Sequence, residues 1–409
     1  MLRTFEARMG GDAAGPARLL LTVPHRLFFL AGVAQIAVAS LWWLWVLAAR
    51  VLPGLPPPAS AMPDTVVHAL VMTCGFAPFF MFGFMFTAGP RWLGVAPPPA
   101  RDWAPAGVVA AVAALSLVPL QAAGIDAVRV AAAVYAAAWL WLLFRFVLLI
   151  RASANPDRIH AILVAAGLTA GVSCVVAFAA YGTAAYPLVA AAGVWLFLLP
   201  VFVTVCHRMI PFFTSGVVPF VTAFRPGWLL ALMVGAAVAH AAVSAVGLAG
   251  WTWLVDLPAA AVMIAITVRW GFVQSMKNRL LAMLHVGFVW YGIGLLLAGA
   301  SSLWMLAGGR GLGLAPLHAL TIGFAASLLV AMVTRVTCGH SGRTLAADAL
   351  TWRLFQLLQV AAVLRIGGEL VGSGAWFLAA ALCWAACMVP WCAKYAPVYW
   401  RPRSDGRPG

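Results

Sequence analysis

Charge is scarce in this chain: only 9% of its 409 residues are Asp, Glu, Lys or Arg, where a soluble domain carries about a quarter. A water-facing surface cannot be built from so little, which excludes an ordinary soluble protein. Carboxylates are scarcer still, ten in all, and only Asp256 and Glu369 fall inside apolar runs. A proton-coupled pump or transporter is expected to carry more of them within the membrane. The seven cysteines form no CxxC pair and no disulfide framework, so they read as small apolar packing residues. Long polar linkers are missing, and no internal repeat marks the inverted halves common in transporters. The N-terminal stretch has Arg but no apolar core closing on a small-residue cleavage site, so no cleaved signal peptide is expected.

What is present is hydrocarbon: 65% of the chain is hydrophobic, and a bilayer crossing takes about 20 such residues. The expected fold is therefore all-α, a polytopic membrane protein with about twelve transmembrane helices. Apolar runs bounded by Pro, Gly and Arg place them at residues 26–49, 65–88, 103–122, 127–150, 159–180 and 187–205. The remaining six run over 227–246, 251–272, 280–306, 315–336, 354–371 and 375–395. Twelve crossings put both termini on one side. If that side is the cytoplasm, only Arg50, Arg129, Arg310 and Arg365 of the 25 basic residues face outside, the asymmetry that membrane insertion produces. The net charge of +15 is thereby accounted for by topology, with membrane lipid as the partner and no nucleic acid. The organisation expected is a cytoplasmic segment over 1–25, a transmembrane domain over 26–397 and a basic cytoplasmic tail over 398–409.

Histidine is the polar residue that recurs, eight times, nearly always at or inside a helix end. At about 1.5 Å per residue, His68, His240 and His318 lie in the outer half of the membrane, and His25, His160, His207, His285 and His340 lie near the inner ends. Neutral imidazole ligates haem iron and copper, and helical bundles hold such ligands on facing helices. The alternative for each is a hydrogen-bonding or interfacial histidine. His68 and Met72, four residues apart, share a helix face and offer N and S donors, although Met at that spacing also serves packing. Arg208, Arg335 and Arg343 lie beside histidines, where a guanidinium can pair with a haem propionate or simply be a cytoplasmic loop charge.

Several segments resemble the NnrS family of membrane proteins. HALTIGFAASLLVAMVTRVTCGHSGR, with Ser341 where Thr is usual, is similar to that family's most recognisable stretch. HRMIPFFTSG, HALVMTCGFAPFFMFGFMFTAGPRWLG and HRLFFLAG resemble further elements in family order. One departure stands out: many members carry His-Glu-Met in the second helix, and here Ala-Leu-Val-Met follows His68. The resemblance implies a haem- and copper-containing protein of the bacterial inner membrane, connected with denitrification, nitric oxide and nitrosative stress. On the matching positions it implies site roles for His68, His318, His340, Arg335 and Arg343, with His207 and Arg208 beside a motif and His285 at the ninth-helix histidine. The expectation is haem b, with copper as a further metal. His68 and His318 would hold one centre near the outer face, and His207, His285 and His340 a second near the inner face. Arg208, Arg335 and Arg343 would neutralise propionates. Whether the protein is an enzyme is left open, and two rivals stand beside this expectation: a metal-free transporter and a factor delivering haem or metal to respiratory enzymes.

Overall fold

Peptide groups in hydrocarbon have no water to bond, so an apolar run enters a membrane only as a helix or within a closed barrel. Every long apolar run here is a helix, and no strand forms among the described residues, 16–219 and 221–406 of the computed structural model. Residues 1–15 of the N-terminal segment and 407–409 of the tail lie outside the described residues.

The long helices in chain order begin with α1 (Pro24–Val51), α2 (Asp64–Leu93), α3 (Ala100–Ser116) and α4 (Ile125–Ala152). Next come α5 (Ile159–Tyr181), α6 (residues 186–215), α7 (Gly227–Ala245) and α8 (Trp253–Arg269). The last are α9 (Arg279–Leu306), α10 (Ala315–His340), α11 (Ala349–Val371) and α12 (Gly374–Trp400). Each apolar span of the sequence overlaps one of them. Among the described residues, ten helical stretches are long and apolar enough to cross a membrane. One of these, Ile159–Ser215, is 57 residues long and turns back at Gly182 (φ 59), so it contains both α5 and α6. The short helix α3, with 17 residues, is not among the ten. The chain is an all-α, multi-pass membrane protein.

Helix ends follow local chemistry. Pro24 opens α1, where its missing N–H costs nothing. Asn278 and Asp348 cap α9 and α11 by accepting the N–H of Leu281 and Thr351 at 3.2 and 2.9 Å. Consecutive helices pack together, and α12 returns to lie along α1. There Arg26 Nη1 donates to the carbonyls of Tyr399 and Arg401 at 3.2 and 2.9 Å. Both ends of the described chain therefore share one end of the bundle, the terminal end; the opposite one is the far end.

Three helices depart from α geometry. α2 becomes a π-helix over Val71–Gly75, α6 over Gly193–Leu198 and α10 over Ala319–Ala326. These are every fourth helix, and they meet one another inside the bundle. Gly193 lets the π turn of α6 rest on α2, since a Cβ there would lie 3.2 Å from Thr73 Oγ1. The Tyr135 hydroxyl of α4 donates to the Cys74 carbonyl at 2.7 Å, satisfying an acceptor that the widened turn of α2 presents. The sequence carries a matching repeat: His68-Ala69-Leu70 precedes Gly75-Phe76-Ala77, and His318-Ala319-Leu320 precedes Gly323-Phe324-Ala325. The recurrence is direct and only a few residues long, unlike the inverted halves of transporters.

Candidate functional site at the far end

The π turns of α2 and α10 begin just after His68 and His318, and both imidazoles line one cavity of ≈ 280 Å³. That is close to the lower end of the roughly 300–1,000 Å³ usual for small-molecule sites. Helices α1, α2, α6, α10, α11 and α12 form its walls, so the pairing of the second and tenth helices expected from depth is present in the fold. α10 is held close to α9 by glycine: a Cβ on Gly294 would lie 2.5 Å from Leu320 Cδ2.

The cavity wall is mostly hydrocarbon, and three of its hydroxyls are already engaged. Thr73 donates to Ala69 O at 2.6 Å, Thr321 to Leu317 O at 2.9 Å, and Ser40 to Ile36 O at 2.6 Å. Ser40 also accepts from Trp384 Nε1 at 2.8 Å. The polar groups that can meet a ligand there are the two imidazoles, the Thr65 and Tyr186 hydroxyls and two guanidiniums, Arg50 and Arg365. Met72, on the same face as His68, lines the cavity as well.

The two histidines are held differently. His318 Nδ1 lies 2.9 Å from the Leu314 carbonyl. A carbonyl only accepts, so Nδ1 carries the proton and Nε2 keeps its lone pair, the tautomer of a metal-ligating imidazole. Glu369 fixes the same turn by accepting the Leu314 N–H at 3.1 Å while taking a 2.7 Å hydrogen bond from Arg365. His68 Nδ1 is buried without a hydrogen-bond partner, and its ring stacks on Trp43 at 3.8 Å and 22°. Arg50 lies 5.4 Å over that same indole and pairs with Asp64 at 3.3 Å. An orphaned imidazole nitrogen, a fixed imidazole of the right tautomer, apolar walls and two cations fit a haem held by His68 and His318, with Arg50 and Arg365 as partners for its propionates.

The remaining histidines fall into separate places. His25 and His340 lie together at the terminal end, ring centroids 4.7 Å apart. His160 Nε2 and His207 Nδ1 are 3.0 Å apart, and His207 Nε2 is 3.1 Å from the Pro226 carbonyl, so both nitrogens of His207 are engaged. His285 Nε2 meets Thr214 Oγ1 at 2.9 Å, and its Nδ1 is buried without a partner. His240, similar in depth to His68 by sequence, instead pairs with Asp256 at 2.9 Å. His207, His285 and His340 are not gathered at one point, and among the described residues no group of three or more His, Cys, Asp or Glu is placed to hold a metal. The structure thus does not bring these three residues together as the second centre expected near the inner face.

Arg208, Arg335 and Arg343 do not line the far-end cavity. Arg208 pairs with Asp157 at 3.2 Å and lies 4.8 Å over Trp92; Arg335 sits 3.8 Å over Phe213; Arg343 is exposed. The cavity's own cations, Arg50 and Arg365, were visible in the sequence as two of the four basic residues breaking the positive-inside pattern. The positive-inside rule explains such residues only as exceptions, and the cavity gives these two a role.

No curated protein matches the chain. The family model described as "NnrS protein" matches residues 19–403, nearly the whole length, and the chain belongs to the NnrS family.

Proposed function

We propose that this protein binds haem b between His68 and His318 in the bacterial inner membrane and handles nitric oxide there as part of the response to nitrosative stress. The observation that carries the reading is the meeting of these two imidazoles in one largely apolar cavity, with guanidiniums beside them. If the haem iron keeps one coordination position open, it would supply the site at which a diatomic ligand binds. The chain's residues supply the rest: His318 gives a fixed nitrogen oriented by the Leu314 carbonyl, and His68 gives one steadied by Trp43. Arg50 and Arg365 offer positive charge, and the hydrocarbon wall keeps water from competing. Copper is part of what the family resemblance implies, and among the described residues no group of three or more His, Cys, Asp or Glu is placed to hold it.

The test is an optical spectrum of detergent-purified protein, as isolated, dithionite-reduced and exposed to nitric oxide, with iron and copper counted on the same sample. A b-type spectrum that shifts with nitric oxide supports the reading. Loss of the Soret band in both His68→Ala and His318→Ala assigns the ligands, and an unchanged band in both refutes the assignment. A colourless, metal-free protein would turn the reading toward transport.

A further inference from the structure

A second cavity, ≈ 60 Å³ and partly open to the surface of the bundle, lies between α1, α2, α5, α6 and α10. It shares Ala77, Phe202 and Leu329 with the wall of the His68–His318 cavity, so the two spaces adjoin at these side chains. Its other walls, among them Val201, Cys206 and Val333, present hydrocarbon and sulfur and no oxygen or nitrogen side chain. A water in such a space lacks the two to four polar partners that would hold it. An anion such as nitrite would lose its hydration with nothing in return. The volume admits a molecule of few atoms. The three π-bearing helices, α2, α6 and α10, converge on it.

We infer that this cavity is a binding site for a small uncharged gas, of the class of nitric oxide or dioxygen, adjoining the far-end cavity and feeding it. The site itself depends only on shape and the absence of polar groups. Its service to the metal centre rests on the function proposed above.

Xenon is the probe, because it reports the cavity whether or not the protein holds a metal. Crystals of the full-length protein pressurised with xenon should show an anomalous peak against Phe202, Leu329 and Val333. Val333→Phe, which fills the space, should lose that peak, and Val333→Ala, which enlarges it, should strengthen it. The enlarging variant keeps the test decisive if the filled one does not fold. Absence of xenon from the unmodified protein, or a peak indifferent to the Val333 variants, overturns the site. In haem-loaded protein, Val333→Phe should slow nitric-oxide association while leaving the bound spectrum unchanged, and equal rates would overturn the feeding role. A colourless protein that still takes up xenon would sink the proposed haem function and the feeding role and leave the gas site standing.

Discussion

Asp256 offers a sharp energetic test, because it is a fully buried carboxylate in a membrane helix whose hydrogen bonds both come from one side chain. His240 Nδ1 meets its two oxygens at 3.0 and 2.9 Å, and the imidazole stacks on Trp195 at 3.5 Å and 12°. Removing either partner is not symmetrical. His240→Ala strands a carboxylate with no exposure at all, which costs about 3–5 kcal/mol, and it also removes the ring contact, worth roughly 1 kcal/mol. Asp256→Ala strands a neutral imidazole whose side chain is 14% exposed, a loss of about 1–3 kcal/mol. Replacing both by Leu removes the unpaired groups together and should cost less than His240→Ala alone. Unfolding in mixed micelles of mild detergent and dodecyl sulfate, followed by tryptophan fluorescence, gives all four corners of the cycle. Equal losses from the two single variants, adding up in the double, would show that the carboxylate is not held by His240 and would refute the reasoning.

Three further outcomes follow from single side chains. Gln35 is buried with both amide atoms lacking a partner, so Gln35→Leu should be neutral or stabilising by about 1 kcal/mol; a loss larger than that in the same micelle titration would mean the amide is bonded. Tyr135→Phe removes the 2.7 Å bond to the Cys74 carbonyl and should cost about 1–3 kcal/mol, with faster amide exchange around residues 71–75; unaltered exchange there would count against the π turn's dependence on this hydroxyl. Asp348 lies outside the spans. Burial opposes its ionisation, but Lys394 and Thr351 outweigh that and hold its pKa at about 2, below an ordinary 3.8. Because the folded value is the lower one, its stabilisation is full above about pH 4 and fades as pH falls toward 2. Solvent at a carboxyl 61% exposed screens the pair to about 1 kcal/mol or less. Asp348→Ala should flatten that acid limb, and an unaltered limb would deny the pairing.

How much of this was legible beforehand depends on what each feature answers to. Hydropathy answers to the bilayer, so every apolar span became a helix. His68 and His318 lie at similar depth, but depth alone groups His240 with them; the resemblance, not hydropathy, singles out the pair that lines one cavity. The π turns were invisible: Val71–Gly75 and Ala319–Ala326 contain no proline and read as ordinary apolar helix. Their geometry answers to neighbours such as Tyr135, which no one-dimensional pattern records. The inner histidines were misleading for the same reason. Depth along a helix is readable, but azimuth is not when nearly every face is apolar. His160 therefore found His207, and His25 found His340, while His285 bonded to Thr214.

The Arg26 latch has a consequence for how the protein is made. Its acceptors, the carbonyls of Tyr399 and Arg401, lie 373 and 375 residues later in the chain. At roughly 5–20 residues per second of synthesis, the first helix enters the bilayer some 20 to 70 seconds before its last neighbour exists. During that interval the guanidinium and the face of α1 that α12 will cover are served only by lipid headgroups and acyl chains. Assembly therefore ends with a closing step between the oldest and the newest parts of the chain, and a ribosome that stops before α12 releases a bundle with an open seam along its first helix.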